Sequence, residues 1–132
     1  METETVPYTR VDITPPAEAM LRKLAGVNGP LMFHQSGGCC DGSSPMCYPR
    51  GEFHVGQSDV YLGDVDTTPF YMSEAQFAYW QHTHLTVDVV PGRGGGFSLE
   101  APEGVRFLIR SRLLTDDETV TLPPVTRGEK PA

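Results

Sequence analysis

The sequence predicts an α+β fold in which a mainly antiparallel sheet, sandwich-like or barrel-like, carries two short helices. Three observations predict it. The 132 residues include 14 glycines and 12 prolines, which indicates many turns between short elements. Apolar and polar side chains alternate along residues 82–90 and 105–114, as they do in half-buried strands. Two stretches begin with helix-capping patterns.

The first helix is predicted over residues 15–25. Thr14 suits the N-cap position, and Pro15 suits the first helical position because its fixed φ fits a helix start. Gly26 is expected to end the helix. Apolar residues follow helical spacing at Ala17, Met20, Leu21 and Leu24.

The second helix is predicted over residues 74–80. Ser73 precedes it and Gln76 lies three residues further on, which is a capping-box pattern. Short strands are predicted between and after the helices, at 30–36, 53–56, 59–65, 69–72, 82–90, 96–100 and 105–114.

The strand at 82–90 has two contrasting faces. One face is apolar and is expected to lie in the core with the apolar face of the strand at 105–114. The residues expected to be buried there are Leu85, Val87, Val89, Phe107 and Ile109. The opposite face carries His82, His84 and Asp88, so its chemistry is polar.

The chain is expected to form one globular domain at 14–122, after an extended segment at 1–13 and before a flexible tail at 123–132. A net charge of −7 argues against a nucleic-acid partner and against an anionic membrane surface. No apolar leader opens the sequence, and no run is apolar enough to span a bilayer. We therefore expect a cytoplasmic protein whose thiols stay reduced.

The segment "HQSGGCCDGSSPMCYP", residues 34–49, holds all three cysteines, Cys39, Cys40 and Cys47. Adjacent cysteines do not easily form a disulfide with each other because that ring is strained. An odd count also leaves one thiol unpaired. The spacing differs from that of a zinc finger, so two interpretations stay open: ligands for a site, or small apolar side chains that pack a tight loop.

His82 and His84 strengthen the first interpretation. Residues two apart on a strand project from one face, at a backbone separation of about 6–7 Å, so both imidazoles can reach one cation. If the cysteine loop folds over this strand, the predicted metal ligands are Cys39, Cys40, Cys47, His82 and His84. Zinc and iron suit such ligands, and copper ranks below them. The alternative is a solvent-facing polar strand face. His34 and His54 are weaker candidates.

The segments "GPLMFHQSGGCCDGSSPMCYP" and "HTHLTVDVVPGRGGGFSLEAPEGVRFLIRSR" resemble the bacterial domain-of-unknown-function family 779 over about residues 14–114. The resemblance implies no catalytic residues, because the family has no established activity. Its members tend to be encoded beside aldehyde or alcohol dehydrogenases. The resemblance therefore implies an accessory role in aldehyde metabolism, with such a dehydrogenase as partner.

The order of elements is also similar to that of the A-type iron–sulfur carrier proteins, in which a short helix precedes a β-sandwich. Residues 36–39 and 96–102 match their serine-glycine-cysteine and glycine-phenylalanine segments roughly. Those carriers bring two more cysteines near the C-terminus, whereas this chain has none after Cys47. An iron–sulfur role would need His82 and His84 in their place.

Three functions follow from these patterns. The first is a small metal-binding protein, either a metal carrier or a metalloprotein, that uses the cysteine loop and the His-x-His strand. The second is a thiol-reactive redox protein with an activated cysteine. The third is a non-catalytic partner module of a dehydrogenase. A second copy of the chain is a further candidate partner, as a homodimer.

Overall fold

The structure is a computed structural model that describes residues 9–35, 42–92, 98–122 and 125–128. The helices are α1 (Pro15–Asn28), α2 (Glu74–Trp80) and α3 (Asp116–Thr121). The strands are β1 (Val11–Ile13), β2 (Leu31–Gln35), β3 (Met46–Pro49), β4 (Asp59–Val65), β5 (Thr68–Ser73), β6 (Thr83–Pro91), β7 (Val105–Leu113) and β8 (Thr126–Arg127).

The strands form two sheets. One has three strands in the order β1-β6-β7, and the other has five in the order β3-β2-β5-β4-β8. The β1–β6 and β2–β5 pairs are parallel, and the other neighbours are antiparallel. The predicted α+β fold with mainly antiparallel pairing is therefore confirmed. The sheets do not close into a barrel.

Both sheets contribute to one hydrophobic core. Phe33 of β2 is fully buried at its centre, with ring centroids 5.8 Å from Phe70 of β5 and 5.1 Å from Phe107 of β7. The Phe33–Phe107 contact is edge-to-face, a favourable arrangement that joins the two sheets. Four of the five predicted core residues are buried, namely Leu85, Val87, Phe107 and Ile109, and Val89 is partly buried against them.

Helix α1 runs past its predicted end. Thr14 caps its start and accepts a hydrogen bond from the Ala17 N–H at 3.4 Å. Gly26 does not end it, because an interior glycine costs only about 1 kcal/mol and buried Leu24 holds this turn on the core. Gly29 ends it instead. No helix in the described ranges is long and apolar enough to cross a membrane.

Several elements differ from the prediction. Helix α2 has the predicted bounds, but the expectation of two short helices is wrong because α3 is a third. Residues 53–56 are not a strand and belong to the connection between β3 and β4. Of the strand predicted at 96–100, residues 96–97 lie outside the described residues, and residues 98–100 are not a strand because they lead into a short 3₁₀ helix at Ala101–Glu103. Strands β1, β3 and β8 were not predicted.

Strands β1 and β8 lie in the segments assigned to the N-terminal extension and the C-terminal tail. Val11 and Ile13 of β1 pair with Leu85 and Val87. Val60 and Tyr61 of β4 pair with Arg127 and Thr126 of β8. Residues 1–8, 123–124 and 129–132 of those segments lie outside the described residues.

A buried carboxylate ties together the segment at 98–100, β3 and β7. Glu100 is 0% exposed and accepts hydrogen bonds from the Ser98 hydroxyl and, at 3.2 Å, from the Phe107 N–H. The Ser98 Oγ accepts in turn from the Cys47 N–H at 2.8 Å. We call Ser98, Glu100 and these two N–H groups the Glu100 anchor. It satisfies polar groups that would otherwise be costly to bury.

The hairpin between β4 and β5 turns on two residues in the left-handed region. Asp66 has φ 47° and Thr67 has φ 66°, a backbone conformation that disfavours a β-branched residue such as threonine. Arg22 of α1 holds this turn, since its Nε and Nη2 donate to the two carboxylate oxygens of Asp66, each at 3.0 Å. The hairpin therefore combines backbone strain with a side-chain clamp.

Replacing Ser98 by alanine should break the Glu100 anchor. The Cys47 N–H would lose its acceptor and Glu100 would lose a donor, which should lower the free energy of unfolding by about 2–3 kcal/mol. Urea denaturation measures this change. Ser58→Ala, at an exposed position, is the control and should leave the free energy within about 0.5 kcal/mol of wild type. Equal values for both variants would contradict the anchor's role.

Replacing exposed Thr67 by glycine should stabilise the protein. Glycine adopts a positive φ without the penalty that costs an L-residue about 1–2 kcal/mol, so the free energy of unfolding should rise by about 1 kcal/mol. Denaturant titration again measures it. Thr67→Ala, which keeps a Cβ, should gain less than Thr67→Gly. A loss of stability in Thr67→Gly would mean that the threonine side chain offsets its own strain.

Candidate functional site

The predicted ligands Cys39 and Cys40 fall in residues 36–41, which lie outside the described residues. Both flanks of this segment are fixed. Gln35 ends β2, and the Gly42 N–H donates to Ile109 O of β7 at 2.8 Å while the Ile109 N–H donates to Ser43 O at 2.8 Å. Gly42 has a φ of 92°, a backbone conformation that glycine adopts without strain. The described residue before the segment thus belongs to the five-stranded sheet, and the described residues after it bond to β7 of the three-stranded sheet.

Cys47 lies in the core. It is 0% exposed on β3, pairs with Phe33 of β2, and faces the same apolar interior. Burial raises the pKa of its thiol, and the nearby Glu100 carboxylate raises it further. A thiol that stays protonated is a poor nucleophile and a poor metal ligand. Of the two interpretations of the cysteines, Cys47 fits the packing role.

His82 and His84 occupy different environments. His82 is exposed in the turn that precedes β6, and its carbonyl accepts from the Leu114 N–H at 2.9 Å. His84 lies on β6, opposite Arg112 of β7, and is only 9% exposed. Burial lowers the pKa of His84, and the Arg112 charge lowers it further, against the opposing effect of Asp12 and Glu118. His84 is therefore neutral near pH 7.

The face around His84 is balanced in charge. Arg112 forms a two-pronged ion pair with Glu118 of α3, with both N–O distances at 2.8 Å. Arg110 pairs with Asp88 at 2.8 Å between its Nε and the carboxylate. Asp88 also accepts from the Thr14 hydroxyl at 2.8 Å, which ties the start of α1 to β6. The Asp88 carboxylate therefore has a structural role, because it joins α1, β6 and β7.

The predicted ligands thus have separate positions. Cys47 faces the interior between the sheets, His84 faces outward from the three-stranded sheet, and His82 is on the surface. Within residues 9–35, 42–92, 98–122 and 125–128, no group of three or more histidine, cysteine, aspartate or glutamate side chains could hold a metal ion. A site of the predicted kind would include residues of the segment at 36–41.

His34, which the sequence made a weaker candidate ligand than His82 and His84, has a distinctive environment. His34 of β2 is 3% exposed, and its Nε2 lies 2.7 Å from Asp59 Oδ1. An ionised carboxylate only accepts, so the Nε2 of His34 donates the hydrogen of this contact. The Gly56 N–H donates to the other oxygen of Asp59 at 3.0 Å. The two oxygens of the Asp59 carboxylate thus accept from His34 and from the backbone.

Aromatic rings pack against His34. The His34 ring centroid lies 4.3 Å from that of Phe53, which stacks in turn on Tyr48 at 5.3 Å. The strand "LMFHQ" gives one sequence signal of this site, since a polar residue in an otherwise apolar buried strand needs a partner. That signal does not identify Asp59, which lies 25 residues away.

Comparison with known proteins identifies the family to which this chain belongs. A sequence model of a family described as a domain of unknown function, DUF779, matches residues 20–113. No curated protein and no solved structure matches the chain. The matched span runs from within α1 to the end of β7 and so includes the cysteine segment, the His34–Asp59 pair and the strands β2 to β7. The chain therefore belongs to the DUF779 family.

Proposed function

We propose that this protein is a small metal-binding protein, a carrier or a metalloprotein, in which Cys39 and Cys40 supply thiolate ligands for zinc or iron. The observation that carries the proposal is the division of the three cysteines. Cys47 packs in the core with a raised pKa, so the adjacent pair is the set of thiols left for chemistry. We assign Cys47 a packing role.

The chemistry of an adjacent pair favours ligation over a disulfide. A ring between neighbouring cysteines is strained, and the reducing compartment predicted from the sequence keeps both thiols available. Thiolates are preferred ligands for zinc and iron. The fixed flanks at Gln35 and Gly42 support the proposal, because a short segment held at both ends loses less conformational entropy when it binds a metal.

Replacing either Cys39 or Cys40 by serine should abolish or strongly reduce bound metal. The untagged protein is purified anaerobically, and metal per chain is measured by elemental analysis. Cys47→Ala is the matched control. It should keep the wild-type metal content, while the small cavity it leaves in the core should lower the free energy of unfolding by about 1 kcal/mol.

Two results would contradict the metal proposal. One is a wild-type protein without metal that also binds no added zinc or iron(II). The other is a metal content that survives in both Cys39→Ser and Cys40→Ser. If wild type binds no metal but one of these thiols alkylates rapidly at neutral pH, the thiol-reactive function becomes the better conclusion.

Metal affinity should fall steeply as pH decreases. Each thiol releases its proton when it binds the metal as a thiolate. Below the thiol pKa of about 8.5, the logarithm of the dissociation constant should therefore rise by about two for each unit by which the pH falls. Competition with a chelator of known affinity at pH 6, 7 and 8 measures this slope. Any weak binding that remains in Cys39→Ser should have a slope of about one. A slope near zero in wild type would exclude thiolate ligands.

A further inference from the structure

We infer that a cleft on the outer face of the three-stranded sheet, beside Arg110 and Arg112, binds the carboxylate group of a short-chain organic acid. This site goes beyond the proposed metal function and does not depend on it, because its residues all lie in the described ranges. Three observations carry the inference: the position and size of the cleft, the donors that Arg110 presents, and the contacts that hold both arginines in place.

The cleft lies where side chains of β6 and β7 meet on the face away from the core. Thr86 and His84 of β6 line it, and their direct partners on β7 are Arg110 and Arg112. Its volume of about 270 Å³ is just below the range of about 300–1,000 Å³ that is typical of pockets for drug-sized ligands. The described residues that line it include both arginines and no carboxylate. The cleft therefore suits a small anion.

Arg110 has hydrogen-bond donors beyond those of its ion pair. Its Nε donates to Asp88 Oδ2 at 2.8 Å, and a guanidinium has five N–H donors in all. Among the described residues, the N–H groups on Nη1 and Nη2 of Arg110 have no partner. These two nitrogens present parallel N–H bonds at the end of the side chain, which is the geometry that the two oxygens of a carboxylate match. The Arg110 side chain is 53% exposed, so a ligand can reach it.

Carboxylates hold both arginines in place. Asp88 accepts from Arg110 through one oxygen and from the Thr14 hydroxyl through the other, so its own position is fixed. Glu118 accepts from both Nη nitrogens of Arg112. A side chain that is already ordered loses less conformational entropy when a ligand binds. Arg110 therefore presents its donors in a fixed direction, and Arg112 adds a second positive charge at a fixed position.

The charges around the cleft select the class of anion. Besides the two arginines, this face of the sheet carries the carboxylates of Asp12, Asp88 and Glu118. These three negative charges, in a chain of net charge −7, oppose a doubly charged phosphate more strongly than a singly charged carboxylate. The aliphatic part of an arginine side chain offers apolar surface beside its charged head, so a short alkyl chain can follow the carboxylate into the cleft.

Butyrate is the probe, and inorganic phosphate is the comparison. Titration of ¹⁵N-labelled protein with butyrate at pH 7 and constant ionic strength should shift the Thr86 amide signal and the Arg110 Nε–H signal until both saturate. Arg110→Gln should weaken butyrate binding at least about tenfold, because an amide has neither the charge nor the paired donors. Arg110→Lys keeps the charge and should weaken binding less.

The matched control is Arg127→Gln. It removes the same charge from the other sheet, where Arg127 pairs with Glu74, and should bind butyrate like wild type. If Arg127→Gln weakens binding as much as Arg110→Gln does, the effect comes from net charge and the inference is wrong. Phosphate bound more tightly than butyrate at pH 7 would also overturn it.

A second measurement uses the wild type alone and so does not depend on how any variant folds. Isotope-filtered nuclear Overhauser spectra should show contacts between the butyrate methyl protons and the Thr86 methyl group. Their presence supports the inference, and their absence at saturating butyrate contradicts it. None of these measurements uses a metal, so a failure here leaves the proposed function standing, and loss of the metal proposal leaves this site standing.

Discussion

Strand β2 is buried on both faces, and the rest of the molecule follows from this constraint. One face places Phe33 against Phe70 and Phe107, which joins the sheets. The other face lies beneath the connection between β3 and β4, which contributes Phe53. A polar side chain in such a strand must be satisfied inside the protein, and His34 is satisfied by Asp59. The burial that builds the core thus also creates the oriented imidazole at the edge of the cysteine segment.

The same core separates the cysteines by chemistry. Cys47 belongs to the interior, where burial and the Glu100 carboxylate keep its thiol protonated. Its backbone serves the Glu100 anchor, which fixes the return of the chain after the glycine-rich segment at 92–97. The described residues on either side of the other two cysteines are Gln35, which ends β2, and Gly42, whose N–H donates to Ile109 O of β7. One short stretch of sequence therefore supplies a packing residue and, on our proposal, two ligands.

Local signals in the sequence predicted local structure well. The capping pattern at Ser73 defined α2, and alternation defined β6 and β7 with four of their core residues. Helix α3 was missed although Thr115 and Glu118 form a capping box that the sequence displays. Strand β3 was missed because its four residues, which end in Pro49, are too few to show an alternating pattern. The parallel pairs and the His34–Asp59 contact join residues far apart in the chain, so no periodicity could reveal them.

The long-range strand pairs also bear on how the chain folds. Val11 pairs with Leu85, and Val60 pairs with Arg127, so both sheets are completed by residues more than sixty positions apart. A high contact order of this kind slows folding, because the chain loses the conformational entropy of long loops before the contacts between distant residues can stabilise it. During synthesis β2 emerges long before β7, its partner across the core. The apolar strand and the thiols that follow it are therefore most vulnerable to aggregation and oxidation in that interval.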